Sequence, residues 1–443
     1  MSSNRRQADA RPLVAIIENS ETPCRAALHR RFAAVFHDTE TTEIYTHSVA
    51  SQPWDHLDSD SEITVSFGEG DNGDAPMTVR RVVRDFRKAG RVIAWLERER
   101  VAAVVLSGYS DLGRLRLFRW CRRRRIPVFL CADSNARCDQ ARGIRRIAKN
   151  VIVRSVVRCC SSILVFGSEG ARYYHRYGGT DDQIVYCPAE PDYRLIEGVS
   201  TEDVRRVASQ FDLGERRPRF MFCGRLEPEK RPDLAVRAFL RIAPEAPDWQ
   251  LLIAGDGSLR AECERLVPPD LADRVRFLGF VQSPEALAGL YHLCDVLVVP
   301  SDSEAWGLVI NEAMAAGLGV IASHIVGAIP ELVYPGMNGL IFHRGDVAGL
   351  ADAMHAVVRT PDVLEHMRVF SPMILRHWRQ RGDPVVGLQR ALGRAGLIQP
   401  AARIAMSPAA FGRRVERDAG SNGPPRDFAE PVTRTPVCLK NVG

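Results

Sequence analysis

Four residues in the second half of this 443-residue sequence have the types and spacing to do chemistry together. Arg225 and Lys230 follow a short apolar run, Phe220–Cys223, and Gly224, whose missing side chain permits a tight turn. Two cations projecting from one turn at the carboxyl end of a strand suit a diphosphate. Glu304 and Glu312 lie eight positions apart, around the start of a helix predicted over Trp306–Ala316 and closed by Gly317. The amides of Trp306, Gly307 and Leu308 at that start, with the positive end of the helix dipole, suit the same anion. Eight residues of continuous helix span about 12 Å. The two carboxylates then meet opposite parts of one elongated ligand, a sugar at one end and a ribose towards the other. That separation exceeds the roughly 5 to 9.5 Å of a glycosidase pair, which argues against hydrolysis. Taken singly, each feature also reads as a solvated basic turn, a helix cap or a solvated helical glutamate.

Two further turns join the set. Leu251–Ala254 leads into Gly255-Asp256-Gly257-Ser258, and Phe277-Leu278-Gly279-Phe280-Val281 closes another strand with a glycine. Two lookalikes do not join it. Gly68-Glu69-Gly70-Asp71-Asn72-Gly73 matches a phosphate-binding spacing, but Glu69, Asp71 and Asp74 would repel a phosphate. Asp58-Ser59-Asp60 resembles a metal-holding carboxylate pair, yet it sits in a polar stretch where Asp and Ser are ordinary turn formers. No metal site is implied. The eleven cysteines include no C-x-x-C and lie mostly in apolar runs, as buried thiols of a reducing compartment do.

Short apolar runs that alternate with helical patterns must position these residues. Leu13–Ile17, Val101–Leu106, Ile126–Cys131, Ile163–Phe166 and Ile184–Cys187 read as strands, with Ile63–Phe67 a further plausible one. Phe220–Cys223, Leu251–Ala254, Val275–Leu278, Val296–Val299, Val320–Ala322 and Leu340–Phe342 follow. Most are apolar without alternation, as parallel strands buried on both faces are. The expected fold is α/β: two Rossmann-like, doubly wound domains facing across a cleft. The expected divisions are a flexible N-terminus over 1–11, a first domain over 12–200, a linker over 201–217 and a second domain over 218–372. A C-terminal helix over 373–397 packs back on the first domain, and 398–443 is a disordered tail.

Composition is that of a soluble globular chain, with 45% apolar and 26% charged residues. No run approaches the 18 apolar residues of a membrane span, and no apolar segment follows the polar N-terminus as in a secretory signal. A cytoplasmic protein is expected, with a peripheral position at the inner face of a membrane as the alternative. The net charge of +6 is uneven, since Arg114 to Arg158 holds 14 Lys/Arg against 2 Asp/Glu. That stretch reads either as an amphipathic surface helix with solvated arginines or as a surface resting on an anionic membrane. Nucleic-acid binding is the poorest reading, because no recognition motif accompanies the charge.

Gly224-Arg225 with Lys230, the Gly255-Asp256-Gly257 turn and the Glu304…Glu312 pair resemble retaining glycosyltransferase family 4, of the GT-B fold. Val326-Gly327-Ala328-Ile329-Pro330-Glu331-Leu332 and Asn338-Gly339-Leu340 continue the pattern. The resemblance covers about 218–345 closely and the two-domain plan over roughly 12–395. It implies transfer of a sugar from a nucleotide-diphosphate sugar to a hydroxyl of a glycan, a lipid-linked or another acceptor, with retention of configuration and no metal or other cofactor. It implies Arg225 and Lys230 at the leaving diphosphate, Glu304 against the transferred sugar and Glu312 at the ribose hydroxyls. Gly224, Gly255, Gly257, Trp306, Gly307 and Leu308 complete the donor site, and Val281 borders the base. On the acceptor side, relatives often place a His where Ala132-Asp133-Ser134-Asn135 stands, so Asp133 or Ser134 is the candidate, with a helix cap the plainer reading. The first strand leads to Glu18–Arg25 without the paired glycines of many relatives. A non-catalytic partner subunit that binds a sugar nucleotide or glycan is the other function class left open.

Overall fold

The computed structural model describes residues 11–47, 64–68, 78–109 and 111–399. Both lookalike motifs, Asp58–Asp60 entirely and Gly68–Gly73 beyond its first glycine, lie outside the described residues, as does the expected tail from 400 onward.

Among the described residues, the strands form two wholly parallel sheets, so the chain is built from two Rossmann-like α/β units. The first contains β1 (Leu13–Glu18), β2 (Glu40–Tyr45), β3 (Thr64–Ser66), β4 (Ala103–Ser107), β5 (Val128–Ala132), β6 (Ser162–Val165) and β7 (Ile184–Tyr186). Their order is β3-β2-β1-β4-β5-β6-β7. The second contains β8 (Arg219–Cys223), β9 (Gln250–Ala254), β10 (Val275–Gly279), β11 (Val296–Val299), β12 (Gly319–Ser323) and β13 (Gly339–Phe342), in the order β10-β9-β8-β11-β12-β13. Every expected strand is present. Only β2 escaped the sequence reading, because Glu40-Thr41-Thr42-Glu43 is polar although it pairs with β1 on one side and β3 on the other.

Alternate residues of each strand enter different cores. Ala15 and Ile17 of β1 face the helices Val79–Arg98, Leu112–Arg124 and Gly143–Val157, whereas Val14 and Ile16 face Pro384–Arg394. In β11, Leu297 and Val299 pack with Trp306, Phe370 and Trp378, and Val296 and Val298 with Phe239 and Leu350. The strand order reverses between β1 and β4 and again between β8 and β11. In such sheets ligands bind outside the carboxyl ends at that reversal. The loops after β8 and β11, which carry Arg225, Lys230 and Glu304, lie there.

Three segments differ from the sequence reading. The 201–217 linker contains a helix, Thr201–Gln210, that begins in a capping box of Ser200 with Asp203 and packs on Pro284–His292. The 373–397 segment is not one helix. Met373–Arg381 ends a longer helix, Pro361–Arg381, that packs on the second sheet. The chain then turns at Gly382–Asp383, and Pro384–Arg394 packs on β6 and β7 of the first. Asp383 caps this last helix through Val385 N at 2.8 Å. The basic stretch 114–158 also does not make one surface. The helices Leu112–Arg124 and Gly143–Val157 both run back along the sheet, so the exposed Arg122–Arg125 lie at the opposite end of the domain from Arg142–Arg146. Arg114 is buried, bonded to Asp111, Asn19 and Ser107 O.

Among the described residues, the chain passes between the units twice, before Tyr193 and at Gly382–Asp383. Arg31 ties the passages together by bonding both Glu190 and, at 3.0 Å, Asp383.

The site loops also constrain the fold. A Cβ on Gly255, at φ +142°, would stand 1.9 Å from Gly224 O. Gly255→Ala is expected to destabilise the second domain by about 3 kcal/mol, the scale of a backbone clash at a strained φ. Its midpoint in urea, followed by circular dichroism, checks this; an unchanged midpoint contradicts the stacking of the two turns.

Candidate active site

The turns after β8, β9 and β10 stack into one layer through their main chains. Gly224 N donates to Ala254 O at 3.0 Å, Gly255 N to Gly279 O at 2.8 Å and Leu226 N to Asp256 O at 2.9 Å. Side chains then fasten the layer. Glu227 accepts from Ser258 N (3.1 Å) and from Ser258 Oγ (2.6 Å), bonds that hold its carboxyl below the usual range. Glu229 O accepts from the amides of Asp302 and Ser303 and so joins the β8 loop to the β11 loop. Arg231 adds ion pairs to Asp233 and Asp302. The outcome is a 2.5 Å contact between Lys230 Nζ and Glu304 Oε2, their side chains only 21% and 14% exposed. Arg225 lies further out, half-exposed and paired with Glu229 at 3.2 Å.

The helix beyond Glu304 is shorter than its sequence suggests. It runs Leu308–Ala315, because Gly307 adopts φ +94° at its N-cap and breaks the regular backbone there. Glu304 therefore precedes the helix, and the 12 Å estimate for a continuous helix does not apply. Only Leu308 to Glu312 follows the helical rise, about 6 Å. The carboxylate separation thus no longer counts against hydrolysis. Glu312 Oε2 accepts from the buried Tyr291 OH at 2.6 Å. Burial pushes the Glu312 pKa up, and the tyrosine bond opposes that rise.

Trp306 contributes little but main chain to this face. Its ring is buried against Phe166 and Trp378, and Nε1 donates to Asn311 Oδ1 at 3.0 Å. Val281 likewise packs into the core, leaving only its backbone near the turn. Gly307 and Leu308 stand at the helix start, where the first amides lack intrahelical acceptors.

From the first domain, Asp133 and Arg25 enter the same electrostatic cluster. Asp133 is solvent-exposed, in a cleft whose walls displace much of the surrounding water. That desolvation raises its pKa; the nearby Glu304 raises it further, while Arg25 and Lys230 pull it down. Arg25 is anchored by Glu18 at 3.1 Å and by Ser20 O at 2.7 Å. Cys24 faces Glu312, and its thiol pKa is raised by burial above all and by that carboxylate in addition. Ser134 is not in the cluster, because its hydroxyl bonds Tyr174 OH at 3.0 Å. Neither Asp133 nor Ser134 caps a helix, since the next one starts at Gly143.

Arg25, Tyr291 and Asn135 are the residues that sequence reasoning missed. Asn135 Nδ2 donates to Glu304 O (3.0 Å) and Ile325 O (2.9 Å), locking the first domain onto the Glu304 loop. Arg25 and Asn135 lay in stretches already noted as departures from the resemblance. Nothing marked Tyr291. Among the described residues, no group of three His, Cys, Asp or Glu side chains is placed to hold a metal ion.

Comparisons with known proteins bear on the fold and on the second domain. The family model for "Glycosyl transferases group 1" matches residues 217–360. The chain is 36% identical to a D-inositol 3-phosphate glycosyltransferase of Mycolicibacterium smegmatis, over 58% of this chain and 56% of the relative. It is 30% identical to an alpha-D-kanosaminyltransferase of Streptomyces kanamyceticus, over 46% and 56%. The matches thus span little more than half the length of these curated relatives. Among solved structures, sucrose-phosphate synthase from Thermosynechococcus elongatus aligns over 87% of this chain and all of its own, with a TM-score of 0.68 and 21% identity. An Anabaena protein, Alr3699/HepE, solved with UDP and glucose, aligns over the same shares with a TM-score of 0.65 and 15% identity. These likenesses establish the GT-B architecture.

The Tyr291 contact can be tested directly. Its hydroxyl stabilises the ionised form of Glu312, so Tyr291→Phe is expected to move that already raised pKa further upward. A carbon-detected NMR titration of Glu312 in both proteins measures the change. A pKa that stays put or falls would show that the bond does not hold the carboxylate.

Proposed function

We propose that this protein is a glycosyltransferase. It moves a sugar from a nucleotide-diphosphate sugar to a hydroxyl of a glycan, glycolipid or similar acceptor, with retention of configuration and without a metal. The observation that carries the reading is the Lys230–Glu304 pair, fixed beside the stacked Gly224, Gly255 and Gly257 turns at the sheet's reversal point. The relatives' names as glycosyltransferases and the UDP in the Anabaena structure support a nucleotide-sugar donor.

In this reading Lys230 and Arg225 neutralise the diphosphate as it leaves, and the amides at Gly307 and Leu308 add their dipoles. Glu304 lies against the transferred sugar, and Glu312, steadied by Tyr291, takes the ribose hydroxyls. The bond from the anomeric carbon to the diphosphate oxygen breaks while the acceptor oxygen bonds to that carbon on the same face. The acceptor's proton passes to a diphosphate oxygen. Asp133 and Arg25, facing Glu304 and Lys230, border the acceptor. Such an enzyme would act in the cytoplasm, in the synthesis of surface polysaccharides or glycoconjugates.

Thermal-shift measurements with nucleoside diphosphates and sugar nucleotides, with and without EDTA, test the donor site. One base is expected to raise the melting temperature, equally in the presence of the chelator. A shift abolished by EDTA contradicts metal independence. Lys230→Ala and Glu304→Ala are expected to lower kcat about 100- to 1,000-fold in folded protein, the scale of lost transition-state charge stabilisation. Donor binding without transfer or donor hydrolysis in the wild type, whatever the acceptor, would instead favour a non-catalytic binding subunit.

A further inference from the structure

The helix Gly143–Val157 has two apolar faces, and only one of them is used. Val153, Val156 and Val157 are buried against the first sheet. At about 100° per residue, Ile144, Ile147 and Val151 fall together on the opposite side, with Ile152 at its margin. They are exposed by 81%, 66%, 64% and 40%. An isolated exposed leucine or valine needs no explanation, but a stripe of large aliphatic side chains over two turns of one helix does.

The charge around the stripe is of one sign. Residues 140–168 contain six Lys/Arg and no Asp or Glu. Arg142, Arg145, Arg146, Arg154 and Arg158 are exposed, whereas Lys149 is held by Asp139 at 2.8 Å. Arg145 and Arg154 flank the aliphatic stripe on either side by the same helical geometry. A second copy of this chain is a poor occupant, because it would set five arginines against five. A soluble anion would use the arginines and leave the aliphatic residues wet. A surface that is apolar beneath and anionic at its boundary satisfies both.

We infer that the outer face of the Gly143–Val157 helix is a docking surface for an anionic lipid bilayer. Ile144, Ile147 and Val151 enter the acyl boundary, and the flanking arginines lie among the headgroups. The helix follows directly on the loop that carries Asp133 and Asn135. If the proposed transfer reaction holds, docking therefore brings the first domain's side of the cleft to acceptors borne by the membrane. The docking itself does not depend on that reaction.

Flotation of the full chain tests it, with vesicles of phosphatidylcholine alone and of phosphatidylcholine mixed with phosphatidylglycerol. Binding is expected only to the mixed vesicles and should weaken as salt rises. Each arginine near an anionic surface multiplies binding roughly fivefold, so Arg145→Ala with Arg154→Ala should weaken it on the order of twentyfold. Ile144→Ser, Ile147→Ser and Val151→Ser together should abolish it. Both variants should keep the wild-type thermal shift with nucleotide, which separates loss of docking from loss of the donor site or of folding. No binding to mixed vesicles, or full binding by the triple serine variant, overturns the inference. So does a concentration-dependent dimer that the triple serine variant abolishes, since it would assign the face to a second copy.

Discussion

An ammonium and a carboxylate pressed together with most of their surface out of water lose hydration that their mutual attraction barely restores. Lys230 and Glu304 are in that position, and much of the second domain's architecture serves to hold them there. Lys230 leaves a turn whose backbone is stacked on the next turn at a spacing only glycine allows. Glu304 belongs to a loop whose amides are bonded to the turn that carries Lys230, and whose own carbonyl is held by Asn135 from the other domain. In the proposed reaction, a diphosphate arriving at Lys230 would exchange one anionic partner for another. The cost of desolvating the ammonium has already been met by folding, which is what preorganisation means in electrostatic terms.

The second domain's half of this arrangement was legible in the sequence because its residues lie close together in the chain. Glycine, arginine and lysine within one loop, or two glutamates around one helix start, declare themselves by spacing. What the spacing could not convey was the left-handed backbone at Gly307, which takes Glu304 off the helix and removes the basis for counting rises between the two carboxylates. Tyr291 was invisible for a different reason. It sits on a separate helix, and an aromatic residue at a core position looks the same whether or not its hydroxyl reaches a carboxylate. The first domain's half was less legible because Arg25, Asp133 and Asn135 come from two loops that meet only once β1 and β5 lie in one sheet.

The fold itself was readable wherever strands are buried on both faces, since unbroken aliphatic runs leave few alternatives. It was unreadable at β2, whose Glu43 is drawn into a polar cluster with His29 and Tyr45 instead of a greasy layer. The C-terminal segment was misread because helical propensity continues past the point where tertiary packing changes partner. Gly382 and the Asp383 cap separate two helices that serve different domains.

That change of partner carries a mechanical consequence. Two passages of chain join the domains, and Arg31 grips an acidic residue on each, Glu190 on the first and Asp383 on the second. Bodies tethered at one place by two adjacent straps cannot slide past each other or drift apart without breaking the clasp. What the straps leave open is a swing about the line through them, and such a swing must break the bonds of Asn135 to Glu304 O and Ile325 O. Any breathing of the cleft is thereby channelled into an arc whose largest travel falls furthest from Arg31.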